Sequence, residues 1–160
     1  MVLYKTIDSF NPGIIERLLK ESYNGLLNYF PTEKQRLYDQ WEKEDKITFN
    51  NYDTIGKHVL FSCIADTVIG YFSWDDRSFP KGIVGQNCIV PDYRRQGYGK
   101  AQIEKIENIF RNTNFKIIFA LTGNHIFFES ARKTYLSCGF REHQRFHGEL
   151  FEKIEYIKEI

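Results

Sequence analysis

One stretch constrains the fold more than any other. An apolar segment, 82–90 (GIVGQNCIV), runs into Pro91-Asp92-Tyr93-Arg94-Arg95-Gln96-Gly97-Tyr98-Gly99-Lys100. A helix-patterned run follows at once, with Ile103, Ile106 and Phe110 on one face. Strand, basic glycine turn and amphipathic helix in direct succession make a β–turn–α unit. Such a turn leaves backbone N–H groups at the positive end of a helix, and its glycines let an anion approach the main chain closely. A phosphate or pyrophosphate is the natural guest, and Arg94, Arg95 and Lys100 add charge for it.

The elements around this unit alternate in type. Residues 2–7 read as a short strand, and Asn11 before Pro12 reads as the N-cap of a helix over 12–27 carrying Ile14, Ile15, Leu18, Leu19 and Leu26. A second helix begins near Pro31, with Thr32 and Gln35 spaced as a capping box and Leu37 and Trp41 as a thin apolar stripe. It ends in the polar stretch around Asn50, Asn51 and Asp53. Strand patterns follow at 57–65, 68–74 and 82–90, joined by a tight turn at Asp66–Thr67 and a longer one over Asp75–Lys81. Beyond the central helix, 115–121 reads as a buried strand. A helix over 127–138 stops at Gly139, and a hairpin around Gly148 closes the chain. The expectation is one α/β (mixed α+β) domain over 1–160, a mixed and mostly antiparallel sheet flanked by helices.

Composition excludes several classes. Lys and Arg number 22 against 21 Asp and Glu, so a general nucleic-acid binder, which needs a basic excess, is not expected. No apolar run approaches the roughly 20 residues that span a bilayer, and the N-terminus has no signal-peptide pattern, so a cytoplasmic protein with no membrane partner is expected. Cys63, Cys88 and Cys138 lie far apart and form no CxxC pair, which suggests neither disulfides nor a thiolate metal site. No metal is expected elsewhere either, since His143 and His147 have no carboxylate or cysteine at ligand spacing.

Three phosphate-binding patterns compete for the turn. A Walker loop needs a hydroxyl after its lysine, and Ala101 stands there. A Rossmann fingerprint needs a glycine at position 102, which is Gln102, and belongs on a first strand rather than a fourth. Arg94-x-x-Gly97-x-Gly99 does resemble the R/Q-x-x-G-x-G/A signature of the GCN5-related N-acetyltransferases (GNAT). About 35 residues downstream, Ala131, Tyr135, Gly139 and Phe140 match that family's A-x-x-x-Y-x-x-x-G-F helix.

The resemblance implies acetyl-CoA as acetyl donor. It places the pyrophosphate on the turn Arg94, Arg95, Gln96, Gly97, Tyr98, Gly99 and Lys100, and pairs the pantetheine with the backbone of Cys88, Ile89 and Val90. An N–H of that strand, at Ile89, would stabilise the oxyanion. Ala131 would let the ligand lie against its helix, and the phenol of Tyr135 would protonate the departing thiolate. Phe128 stands where many members carry asparagine, and Asn124 is the nearest substitute. The resemblance covers 57–158 as the acetyl-CoA-binding core and leaves 1–56 as the acceptor side.

No acid lies on the strand 82–90, where members often carry their general base. Asp75 and Asp76, ending the preceding strand, lead as candidates, with Glu33 behind them. His58 and His125 read as structural. Gln86 and Asn87 could hold only a water, and a covalent route through Cys88 has no histidine partner. The acceptor is read as a small-molecule or peptide amine met by a monomer or homodimer, with Tyr23, Tyr29, Phe30, Tyr38, Trp41, Trp74 and Phe79 available to line a pocket or pack the core. A non-catalytic acetyl-CoA sensor on the same fold is the alternative; Tyr135 favours the enzyme.

Overall fold

A computed structural model describes all of residues 1–160. Seven strands form one mixed, mostly antiparallel sheet in the order β1-β2-β3-β4-β5-β7-β6: β1 Leu3–Thr6, β2 Val59–Ile64, β3 Thr67–Ser78, β4 Lys81–Ile89, β5 Ile117–Gly123, β6 Arg141–His147 and β7 Glu152–Glu159. Four helices accompany it: α1 Ile14–Tyr23, α2 Lys34–Asn50, α3 Tyr98–Asn112 and α4 Glu129–Ser137. Within the chain two compact units separate, 1–73 with 86–96, and 74–85 with 97–160. None of the helices is long and apolar enough to cross a membrane.

The first unit is built on β1, β2, the opening half of β3 and the closing residues of β4. Helix α1 buries Ile15, Leu18, Leu19 and Ser22, the spacing of one helical face. Its N-terminus is not capped by Asn11: the cap position is Gly13, in left-handed conformation, and the cap ligand comes from a distant residue. The buried Asp45 carboxylate of α2 accepts from the N–H groups of Gly13 (2.9 and 3.0 Å), Ile15 (2.9 Å) and Glu16 (3.2 Å). A carboxylate at that end satisfies orphan amides and the helix dipole together. The Thr32–Gln35 capping box does not form either. A 3-10 turn over Pro31–Glu33 leads into α2 without a side-chain cap, and the Gln35 amide donates to Asp39 instead.

Helix α2 buries Leu37, Trp41, Asp45 and Thr48. Strand β2 pairs antiparallel with β1 and β3, the latter through the tight turn at Ala65–Asp66. Phe61, Ile69, Tyr71 and Phe72 are fully buried, with Tyr71 and Phe72 on opposite faces of the sheet. Gly70 lets β3 approach β4 closely, since a Cβ there would sit 2.1 Å from the Cys88 carbonyl oxygen.

The second unit carries α3, which buries Ile103, Ile106 and Phe110, and β5, which pairs in parallel with β4 over Lys81–Val84. β7 lies between β5 and β6 and pairs antiparallel with both. The hairpin register slips between Glu142 and Gln144, which puts His143 out of the alternation. Gly139, at φ +84°, ends the last helix as its sequence position predicts.

The long turn expected over Asp75–Lys81 is a correction. β3 continues through Ser78, and only Phe79 and Pro80 turn the chain. Asp75 and Arg77 are two apart on one strand face and pair, while Phe79 packs edge-on against Phe115 at 5.1 Å. Those contacts carry extended backbone into residues that read as loop formers.

Candidate active site

The turn after β4 begins with a 3-10 turn, Pro91–Tyr93, closed by bonds from Tyr93 N–H to Val90 O and from Arg94 N–H to Pro91 O, both 3.1 Å. Arg95 and Gly97 then take left-handed backbone, at φ +61° and +85°, and α3 starts at Tyr98 with Gly97 as its cap residue. The first-turn amides of this helix have no carbonyl one turn back. A Cβ built on Gly97 would find no atom within 4 Å, so the main chain faces open space at that residue. The glycine therefore answers to its φ and to whatever approaches the backbone, and not to packing.

Arg94 behaves differently from its neighbours. Its guanidinium donates to the Ile89 carbonyl at 2.8 Å and to the Ser22 carbonyl at 2.5 Å. It thus anchors the turn to the end of β4 and to α1. Arg95 and Gln96 are exposed, and Lys100 makes only a loose 3.9 Å contact with Glu104. Along the strand end, the Val90 N–H is already bonded to Ile69 O at 2.8 Å, which leaves that amide unavailable to a ligand.

The Cys88 side chain is buried. Burial raises its thiol to a pKa of about 11, which leaves almost no thiolate near neutrality. A covalent acyl-cysteine route loses its nucleophile on that ground.

A half-buried carboxylate reaches the sheet from a helix. Glu44 of α2 reaches Tyr71 of β3 and Gln86 of β4: the Tyr71 hydroxyl donates to Oε1 at 2.9 Å, and the Gln86 amide donates to Oε2 at 3.4 Å. Gln86 is itself held, with Tyr23 donating to its Oε1 at 3.3 Å and its backbone N–H donating to the Ser73 hydroxyl at 2.9 Å. Burial pushes the Glu44 carboxyl above the ordinary glutamate range, and the bonds from Tyr71 and Gln86 pull partly the other way. Beside it opens a cleft of about 290 Å³ lined by Lys43, Glu44, Ile47, Ile55, Val59 and Tyr71, among others.

The expected base candidates each have their own setting. Asp75 is gripped by its strand neighbour Arg77 at 2.9 and 2.5 Å, Asp76 is exposed on the same strand, and Glu33 pairs with Arg36 at 2.5 Å. The buried stripe of α2 is Leu37, Trp41, Asp45 and Thr48, and Glu44 stands half-buried beside it, so the helical period points to this face of α2 but not to Glu44 in particular.

In the second unit, Tyr135 lies one turn after Ala131 on α4 and is buried. Its ring stacks on Tyr156 at 5.7 Å and meets Phe140 edge-on at 5.5 Å. Its hydroxyl makes no hydrogen bond within the protein, and burial raises its pKa well above the ordinary phenol value, so it stays protonated. Phe128 is wedged with Phe151 over Gly123, where a Cβ would come within 2.7 and 2.5 Å of the two rings. Asn124 gives its amide to Glu152 at 2.7 Å, so its side chain is already engaged. His125 accepts from Phe127 N–H at 3.1 Å as a local cap. Nowhere do three or more His, Cys, Asp or Glu side chains gather as a metal site.

A family model described as the acetyltransferase (GNAT) family matches residues 16–140. No curated protein matches the chain in sequence. Solved structures agree in fold over nearly the whole chain. A Desulfovibrio desulfuricans protein described as a putative acetyltransferase of the GNAT family superimposes with a TM-score of 0.76 at 16% identity, covering 99% of each chain. The ribosomal-protein-S18-alanine N-acetyltransferase of Escherichia coli gives 0.74 at 12% identity, covering 100% of this chain and 94% of that one. The PaiA N-acetyltransferase of Thermoplasma acidophilum, solved with coenzyme A, gives 0.73 at 14% identity, covering 100% and 99%.

Proposed function

Because the chain belongs to the GNAT acetyltransferase family, we propose that it transfers the acetyl group of acetyl-CoA to a primary amine by direct attack on the thioester. The observation that carries this reading is the turn from Arg94 to Lys100: left-handed backbone at Arg95 and Gly97, open space over Gly97, and a helix N-terminus directly behind. Those features suit a pyrophosphate, and Arg95 and Lys100 are the cations for it. Arg94 shapes the turn through the Ile89 and Ser22 carbonyls, which makes it a positioning residue.

Two protons must leave the attacking nitrogen and one must reach sulfur. Glu44 takes the first, converting ammonium to the nucleophilic amine. Its raised pKa narrows the gap to an amine of about 10.4, which makes the transfer less uphill than an ordinary carboxylate would find it. The nitrogen then bonds to the acetyl carbon, with the Ile89 N–H serving the developing oxyanion. As the carbon–sulfur bond breaks, its electron pair leaves on sulfur and Tyr135 gives that sulfur a proton. The second proton of the amide nitrogen restores the Tyr135 phenol by way of solvent and Glu44 gives up the first, so one proton in net is released to solvent. Asp75 and Asp76 are set aside as bases in favour of Glu44.

Calorimetric titration with acetyl-CoA, followed by thiol release against mixed amines, tests the reading. Micromolar binding with thiol release supports the enzyme. Binding with no release from any amine favours an acetyl-CoA sensor, and absence of binding overturns the donor assignment.

A further inference from the structure

We infer that the cleft beside Glu44 is the acceptor subsite and that it takes a primary monoamine carried on a compact apolar body, an assignment that rests on the N-acetyltransferase reading above. The cleft's chemistry is lopsided. Glu44 is the one acid among its lining residues, and both carboxylate oxygens already accept a hydrogen bond, from Tyr71 and Gln86. Each oxygen keeps a further lone pair, enough to receive one ammonium. Ile47, Ile55 and Val59 form the apolar part of the wall, with Ile47 39% exposed and Val59 3% exposed. A volume of about 290 Å³ lies at the small end for organic ligands, which run roughly 300–1,000 Å³.

The same wall rejects a second cation. A polyamine that places one ammonium on Glu44 finds no second acid for the next, since every other side chain of the lining is uncharged apart from Lys43. Lys43, the one cation of the lining, would repel it as well. Preference for a monoamine therefore comes from an attractive group and a repulsive one within a single cleft.

Thiol release with 2-phenylethylamine and with spermidine tests the assignment in the wild type, Ile47→Asp and Lys43→Glu. The wild type is expected to favour 2-phenylethylamine at least about tenfold in kcat/KM. Ile47→Asp and Lys43→Glu are each expected to shrink that ratio by a similar factor while acetyl-CoA affinity stays constant. A wild type that prefers spermidine, or a ratio that neither variant changes, overturns the proposal. Should acetyl-CoA fail to bind, the donor reading falls and the cleft is judged separately by NMR titration with 2-phenylethylamine alone. Saturable shifts at Tyr71 and Ile47 that weaken in Ile47→Asp support the subsite, and unshifted signals overturn it.

Discussion

The Tyr71 hydroxyl donates to Glu44 Oε1 at 2.9 Å, joining the middle of β3 to a helix 27 residues earlier in the chain. Tyr71 is itself buried and its own ionisation is pushed well up, first by burial and then by the Glu44 charge. The phenol therefore remains a donor throughout the working pH range, and it aims the carboxylate.

Glu44→Gln separates the catalytic and structural consequences of that carboxylate. Activity is expected to fall roughly 100-fold or more, and the acidic limb of kcat/KM against pH should disappear. Stability should move the other way. The folded chain holds the Glu44 proton to higher pH than the unfolded chain, so stability declines as pH rises from about 4.3 through the raised folded value. The penalty is complete above both values. At neutral pH the variant should melt at the same temperature or higher, with that difference shrinking near pH 3. A variant markedly less stable at pH 7 would show that the charge supports the fold.

Asp45→Ala removes the ligand for the amides at the start of α1. A loss of about 2 kcal/mol is expected in urea unfolding, with Asp45→Asn recovering part of it. Equal stability of the alanine variant would mean that water replaces the carboxylate at no cost.

Gly97→Glu should abolish acetyl-CoA binding, because it sets bulk and negative charge where the pyrophosphate is assigned. The open space around that position predicts a folded protein, carrying only the strain of a side chain at φ +85°, about 1 kcal/mol. Circular dichroism and calorimetry together read both outcomes. A well-folded variant with unchanged affinity would end the pyrophosphate assignment.

Tyr135→Phe keeps the ring contacts with Tyr156 and Phe140 and deletes a hydroxyl that bonds to nothing in the protein. Melting temperature and acetyl-CoA affinity should stay near wild type while kcat drops at least tenfold. Full turnover would show that the thiolate leaves unaided.

Cys88→Ala should retain activity within a few-fold, since a thiol raised to about 11 is no nucleophile near neutrality. Trapping an acetylated Cys88 by mass spectrometry would contradict this.

Periodicity made the order of elements legible, and two motifs about 35 residues apart carried the family. What escaped was whatever depends on contact between distant segments. Asn11 looked like the cap of α1 because caps are sought next door, whereas the ligand is Asp45. Asp75 and Asp76 looked like turn residues, yet pairing with Arg77 and packing of Phe79 on Phe115 hold that segment extended. Glu44 does not stand on the central strand, where members of the family often carry their base, but on a helix. It stands beside the buried Leu37–Trp41–Asp45–Thr48 stripe, and the partners that give it meaning, Tyr71 and Gln86, lie on β3 and β4.

Glu44 and Asp45 are chemical twins, one peptide bond apart and about 100° apart around the axis of α2. Asp45 locks into the amides of α1 and so works as a key that indexes the rotation of α2. Its neighbour inherits the resulting angle. A modest roll of the helix would swing Glu44 off Tyr71 long before it emptied the hydrophobic interface, so the aim of the proposed base is governed by a residue outside the proposed cleft. Changes at position 45 should therefore be read as changes of pointing, visible in the pH profile before they are visible in melting.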